Sequence, residues 1–230
     1  MSVTLWHCDV SKLNDPALFK RGMQLLPWPE RREKIGSLRF DEDKCLSLGA
    51  GLLTAHALRQ AGARDLTLSR GPVGKPFLNH YPDLHFNISH SGTMAVCAVA
   101  GAPVGVDVEK HRAAQNNVAA HFFHPLEVEW LAGSQDPDRD FTRLWTRKES
   151  FIKMTGRGIT QPLNEFTALP GENGEGRIRL TDQAEATGGA YCLTTALDAH
   201  TISLCVPDKD DIRIADGLDI IYCIFDQNAL

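Results

Sequence analysis

Short apolar runs of period two alternate with longer runs of helical period along this chain, and that alternation predicts a mixed α/β architecture. Val3–Cys8 reads as a strand. Asn14–Leu26 reads as a helix, capped by Asn14 or Asp15 with Pro16 in its first turn, before Pro27 and Pro29 break the chain. A basic stretch follows, Arg31-Arg32-Glu33-Lys34, and then the longest helical pattern, Glu42–Ala61, stopped by Gly62. Gly49 and Gly51 inside that helix cost about 1 kcal/mol each against alanine, and they leave a face that a neighbour can approach closely. Strands are predicted at Leu66–Ser69, Leu84–Ser89, Thr93–Ala100 and Val104–Glu109, with a loop at Gly71–Pro76 and a turn at Gly101-Ala102-Pro103. Asn116–Phe123 and Pro125–Ala132 read as short helices, and Gly133–Asp138 as a polar break. Asp140–Thr155 reads as a strong helix ending at Gly156 and Gly158. Four β-like segments close the pattern: Glu165–Leu169, Arg177–Leu180, Tyr191–Ala196 and Thr201–Val206. After Pro207 the chain is acidic and then apolar over Leu218–Phe225, and it is expected either to cross back to the first half or to run along the surface.

The order of elements occurs twice, with a joint near Gly101–Pro103. The expectation is an α+β fold of two similar halves, 1–103 and 104–206, followed by a tail, 207–230, with a ligand site between the halves. Composition agrees: 43% hydrophobic and 23% charged residues in a chain of 230 exclude disorder, collagen and a bare coiled coil. A formal charge of −5 excludes a chain-wide basic footprint for nucleic acid. The longest apolar candidate, Met94–Ala100, is far short of the roughly 20 residues of a membrane span. Met1–Val10, which contains Asp9, lacks the pattern of a signal peptide. The six cysteines form no C-x-x-C, and they read as buried, reduced thiols of a cytoplasmic protein.

Candidate chemistry concentrates in two segments. In Val104–Lys110, period-two alternation sends the three valines one way and Gly105, Asp107 and Glu109 the other. Two carboxylates on one face read either as a solvated acidic surface or as part of a divalent-cation site. In the 140–155 helix, Phe141, Leu144, Trp145, Phe151 and Ile152 form an apolar arc with Glu149 and Lys153 on its flank. That pair reads either as a surface i,i+4 ion pair or as a carboxylate and an ammonium facing a cleft. In the second case Glu149 completes a three-carboxylate set with Asp107 and Glu109, and Lys153 supplies charge to a phosphate oxygen. Lys148 falls inside the apolar arc and requires a buried partner or a snorkelling path. Ser89, His90 and Ser91 gather hydrogen-bonding groups, and Gly74-Lys75-Pro76 forms a loop against which a ring can lie. Phosphate-loop, nucleophile-elbow and zinc-helix motifs are absent, and no zinc spacing occurs among the nine histidines.

Seven segments together resemble one family. They are Pro29–Lys34 (PERREK), Gly74–Leu78 (GKPFL), Phe86–Gly92 (FNISHSG), Val104–Lys110 (VGVDVEK), His121–Glu127 (HFFHPLE), Leu144–Ile159 (LWTRKESFIKMTGRGI) and Pro162–Phe166 (PLNEF). The chain is identified by them as similar to the surfactin-synthetase-activating type of 4′-phosphopantetheinyl transferases, whose signature G-[VI]-D-[VI]-E and W-x-x-K-E-[AS]-x-x-K is complete here, with Glu109 and Glu149 forty residues apart. The resemblance implies a pseudo-twofold fold, each half a small sheet packed on a long helix, with coenzyme A between them. It implies transfer of phosphopantetheine to a serine of an apo acyl- or peptidyl-carrier protein, with release of 3′,5′-ADP. Carried over by motif, Asp107, Glu109 and Glu149 hold Mg²⁺, with Mn²⁺ as the alternative, and Lys153 contacts a phosphate. Ser89 and His90 hold phosphate, His90 the 3′-phosphate. Gly74, Lys75 and Pro76 line the adenine pocket, and Arg31 and Lys34 reach the 3′-phosphate. Asp107, Glu149 and Lys153 are the catalytic set, with Glu149 the base for the serine hydroxyl, directly or through a water.

One departure stands out. Family members often carry an arginine early in the first-half helix, whereas this chain reads Asp43-Lys44-Cys45 there, which leaves Lys44 as the substitute. Phe122 or Phe123 is expected either to anchor a carrier helix or to sit in the core. The two halves suffice for one site, so a monomer is expected. A metal-dependent diphosphate hydrolase and a non-catalytic coenzyme A or carrier-binding module are the competing readings. ADP release without a carrier would mark the first, and loss of a metal carboxylate the second.

Overall fold

The computed structural model describes residues 3–111, 113–180, 189–209 and 212–214. The first half contains strand β1 (Val3–Asp9) and helices α1 (Pro16–Leu25), α2 (Pro29–Ser37) and α3 (Asp41–Gln60). Strands β2 (Leu68–Arg70), β3 (Pro76–Leu78), β4 (His85–Ser91) and β5 (Met94–Ala100) complete it. The second contains β6 (Gly105–Lys110), α4 (Asn116–Phe122), α5 (Pro125–Ala132), α6 (Pro137–Thr155), β7 (Phe166–Thr167), β8 (Glu175–Leu180), β9 (Ala190–Leu197) and β10 (His200–Val206). A last strand, β11 (Ile212–Ile214), follows.

Two sheets form the centre, ordered β11-β1-β5-β4 and β6-β10-β9-β8-β7, and β2 and β3 make a separate hairpin. Alternation along β5 explains how they stack. Ala95, Cys97 and Val99 join a core with Leu48, Leu53 and Leu58 of α3. Val96, Ala98 and Ala100 point the other way, into a core shared with Val104, Val106 and Val108 and with Ile202 and Leu204 of β10. The layers therefore run helix, sheet, sheet, helix, and α6 packs on β6 and β10 from the far side. Each half is a small sheet on a long helix, as expected, but the two halves are joined by one core.

The glycines of α3 admit neighbours as anticipated: a Cβ at Gly49 would strike Val10, and one at Gly51 would lie 2.9 Å from Arg31 Nε. Lys148 has its buried partner, Glu127 at 2.7 Å, both side chains fully excluded from solvent. Its ammonium also donates to the carbonyls of Leu163 and Phe166, and Glu127 accepts from the backbone of His124 and Ala168. Isolated burial of either charge would be prohibitive, so the pair and its carbonyls form one unit.

Several boundaries differ from the sequence pattern. The helix expected over 14–26 runs from Pro16 to Leu25, with Asp15 the cap as anticipated, its side chain accepting from the Ala17 and Leu18 amides, and Asn14 ends a separate 3₁₀ turn that begins at Ser11. Helix α6 begins at Pro137, inside the expected polar break, because Asp136 caps it and proline suits the first turn. The basic 31–34 stretch is helical. Strand β11 pairs in parallel with β1, Thr4 opposite Arg213, so the chain crosses back to the first half; the apolar 218–225 stretch lies outside the described residues. The five described cysteines are buried and none is in a disulfide among the described residues, and Cys223 lies outside them. Among the described residues no helix is long and apolar enough to cross a membrane.

Candidate active site

Strand β6 presents Asp107 and Glu109 on the face opposite its buried valines, and α6 lies across that face. Gly105 makes this approach possible, because a Cβ there would collide with the Ser150 carbonyl oxygen and the Met154 amide nitrogen and come within 2.9 Å of Met154 Cα. Strand β4 contributes one face of polar side chains to β6. Asn87 Oδ1 accepts from the Val106 amide (2.9 Å), Ser89 Oγ donates to Asp107 Oδ1 (2.8 Å) and Ser91 Oγ donates to Glu109 Oε2 (2.9 Å).

Lys153 reaches across from α6 rather than along its own helix. Its ammonium donates to Asp107 Oδ1 at 2.6 Å and to Ser89 Oγ at 2.9 Å, so the reading of Glu149 and Lys153 as a simple surface pair gives way. Burial pushes the Asp107 carboxyl above its ordinary range, with Lys153 and Ser89 opposing and Glu109 adding to the rise. Glu149 is also pushed up, first by burial and then by the charge of Asp107. These carboxylates thus feel one another.

A cleft of about 1230 Å³ opens beside this cluster and takes its walls from both halves. Arg31, Lys34, Gly74, Lys75, Pro76, His90, Glu149 and Lys153 all line it, so eight of the expected site residues face one space. Asp107, Glu109 and Ser89 form the hydrogen-bonded layer behind Lys153. Arg31 packs against Gly51 and donates through Nε and Nη2 to the Ser47 carbonyl, which aims the guanidinium along the wall. Its pKa is lowered by burial and by Arg70, and the His90 imidazole is lowered by desolvation and by the cations of Arg31 and Lys153. Mutual repulsion of this kind prepares a site for an anion. The Lys75 ammonium donates instead to the carbonyls of Val104, Lys153 and Met154. Lys44 pairs with Asp41 at 2.8 Å and does not line the cleft, whereas Arg70 does.

Among the described residues no three His, Cys, Asp or Glu side chains stand at metal-holding distances. The donors nevertheless suit a hard divalent cation. Asp107 Oδ2 is buried and accepts no hydrogen bond, and Asp107 and Glu149, each pushed up first by burial, are pushed further by the carboxylates beside them in an all-oxygen set. Sequence reasoning missed Arg70, which carries no local signal, and the structural roles of Gly105, Asn87 and Ser91. The last two share the period of Ser89 on β4, and that period was the available signal. Of the two phenylalanines, Phe123 is in the core with Phe141 and Trp145, while Phe122 is 56% exposed and lines the cleft mouth with Val118.

A cleft shared by two similar α+β halves, with cations along one wall and Glu149 and Lys153 at its floor, has the charge and shape that suit a phosphorylated ligand. Family models match in both halves: the 4′-phosphopantetheinyl transferase superfamily over residues 103–205 and the 4′-phosphopantetheinyl transferase N-terminal model over 15–102. The chain is 36% identical over 188 residues to 4′-phosphopantetheinyl transferase Sfp of Bacillus subtilis (strain 168), covering 79% of this chain and 83% of that one. It is 36% identical over 230 residues to 4′-phosphopantetheinyl transferase psf-1 of Bacillus pumilus, covering 95% of each. It is 32% identical to L-aminoadipate-semialdehyde dehydrogenase-phosphopantetheinyl transferase of Mus musculus, over 80% of this chain and 68% of that one. The chain belongs to the 4′-phosphopantetheinyl transferase superfamily.

Proposed function

We propose that this enzyme transfers the 4′-phosphopantetheine arm of coenzyme A to a serine hydroxyl of an apo acyl- or peptidyl-carrier protein, acting as a cytoplasmic monomer and releasing 3′,5′-ADP. The observation that carries the reading is the cleft that Arg31, Gly74–Pro76, His90, Glu149 and Lys153 line together, with Asp107 bonded to Lys153 from behind. Arg31, Lys34 and Arg70 form the cationic wall for the 3′-phosphate, His90 adds an imidazole beside them, and Arg70 supplies the guanidinium that α3 lacks. The backbone of Gly74, Lys75 and Pro76 borders the adenine.

Asp107, Glu109 and Glu149 would hold Mg²⁺, or Mn²⁺, which when bound would supply positive charge to the pyrophosphate. The carrier serine oxygen bonds to the phosphorus that bears pantetheine, and the bond from that phosphorus to the bridging oxygen breaks. Glu149, whose proton affinity is raised by burial and by Asp107, takes the serine proton. Lys153, anchored against Ser89 and Asp107, turns its charge to the leaving phosphate, and Ser89 keeps that lysine at the cleft floor. Phe122 and Leu126, both more than half exposed on α4 and α5, offer an apolar anchor for a helix of the carrier.

The test is the intact mass of apo acyl-carrier and apo peptidyl-carrier proteins after incubation with enzyme, coenzyme A and Mg²⁺. A gain of one phosphopantetheine arm, lost with Glu149→Ala, is expected, and the rates on the two carriers rank them. ADP release without a carrier would replace the transferase reading with a hydrolase. Coenzyme A binding with no transfer to either carrier would leave a binding module or an enzyme for another carrier, and no coenzyme A binding would refute the assignment.

A further inference from the structure

Lys75 lies in the loop that closes the β2–β3 hairpin of the first half, and the loop is tight: Gly71 N donates to the Lys75 carbonyl and Gly74 N to the Gly71 carbonyl, each at 2.9 Å. Its side chain leaves the loop and crosses to the second half. The ammonium donates to the carbonyls of Val104 (3.0 Å), Lys153 (2.6 Å) and Met154 (3.2 Å). The last two belong to the final turn of α6, where carbonyls lack intrahelical partners and the helix dipole favours a cation. Val104 immediately precedes β6, the strand of Asp107 and Glu109. One ammonium therefore ties three pieces together: the loop, the end of the helix that carries Glu149 and Lys153, and the start of the carboxylate strand. One acceptor is the carbonyl of Lys153 itself, the residue whose own ammonium sits on Asp107 and Ser89.

We infer that Lys75 is a positioning residue: its ammonium fixes the last turn of α6 against β6 and thereby holds Lys153 at the cleft floor, so that the loop bordering the nucleotide and the helix bearing the reactive side chains move as one piece. The ammonium is spent on protein carbonyls, and only the loop backbone is left to the ligand. Burial holds the Lys75 amine down to about 8, in keeping with a group enclosed by protein. The inference rests on the reading that Lys153 contacts a phosphate of coenzyme A.

The experiment compares the parent enzyme with Lys75→Met, Lys75→Arg, Lys153→Met and the Lys75→Met/Lys153→Met double variant. Lys75→Met is expected to lower kcat ten- to hundredfold while KM for coenzyme A stays within threefold. The double variant is expected to be no slower than Lys153→Met alone. Lys75→Arg keeps charge and donors, and is expected to recover kcat to within tenfold of the parent. Amide hydrogen exchange supplies a readout free of activity: in coenzyme-free Lys75→Met the amides of residues 153–156 exchange at least tenfold faster than in the parent. A raised KM with unchanged kcat would make Lys75 a ligand contact and overturn the inference. Multiplicative losses in the double variant would do the same, as would unchanged exchange at 153–156. Failure of the parent to modify any carrier would refute the transferase reading instead, and the exchange comparison would still decide the role of Lys75.

Discussion

The contact between Gly105 and α6 can be tested by adding a single methyl group. In Gly105→Ala the new Cβ would fall 2.9 Å from Met154 Cα and closer still to the Ser150 carbonyl oxygen and the Met154 amide nitrogen. Carbon atoms rest about 3.5–4.0 Å apart, so strand and helix must separate by about 1 Å or more. The atoms struck are backbone in the last two turns of α6, and no side-chain rotation relieves them. Overpacking of this sort destabilises by about 1–3 kcal/mol. The functional loss should be larger than the stability loss suggests, because the same displacement carries Glu149 and Lys153 away from Asp107, and a misplacement of about 1 Å costs on the order of 10²-fold in rate. Urea unfolding measures the first quantity and single-turnover phosphopantetheinylation the second. The expected result is a folded variant with kcat down about a hundredfold. A Gly105→Ala enzyme with parental stability and parental rate would refute the reasoning, for it would mean that the helix and strand are not held in contact.

Glu149→Gln removes a carboxylate that burial and Asp107 make costly to ionise, so the variant should melt higher than the parent by calorimetry while its transfer rate falls about 10²–10⁴-fold; a lower melting temperature would count against the crowded-carboxylate picture. Glu127→Gln leaves the fully buried Lys148 ammonium without its counter-ion and should cost about 3–5 kcal/mol in urea unfolding, much of it regained in Glu127→Gln/Lys148→Met. Lys75 gives a pH signature. Below pH 8 the folded and unfolded states both hold its proton, and the cost of burial is felt in full. From about 8 to 10.5 the unfolded state binds the extra proton, so stability gains an increment with rising pH that Lys75→Met lacks, measurable by unfolding at pH 7.5 and 9.5.

Period-two alternation placed the carboxylates of β6 and the valines behind them correctly, and the arc of α6 called for a buried partner or a snorkelling path for Lys148, of which the fold supplies the first in Glu127. These features were legible because they depend on neighbours a few residues apart. What was not legible depends on distant chain. Nothing near Lys75 announces that its ammonium will meet carbonyls 29, 78 and 79 residues away. Arg70 sits in a three-residue strand with no motif around it, and only the folding of the hairpin over the cleft brings it beside Arg31. Likewise the split between exposed Phe122 and buried Phe123 follows from the stack of Phe123 on Phe141, a residue of a different helix.

The pairing of β11 with β1 ties the order of synthesis to the order of folding. Strand β1 is translated before every other described element, yet its outer edge stays open until Ile212–Ile214 has been translated about 200 residues later. At typical elongation rates that interval is about 10–40 s. Through it the nascent first half presents a row of unpaired backbone groups beside the apolar residues Val3 and Leu5, whose core partners Ile202 and Leu204 are also still unmade. Production of this enzyme therefore depends on what shields one strand edge during those seconds, and truncation before residue 212 should reduce yield by aggregation even though every residue of the cleft is retained.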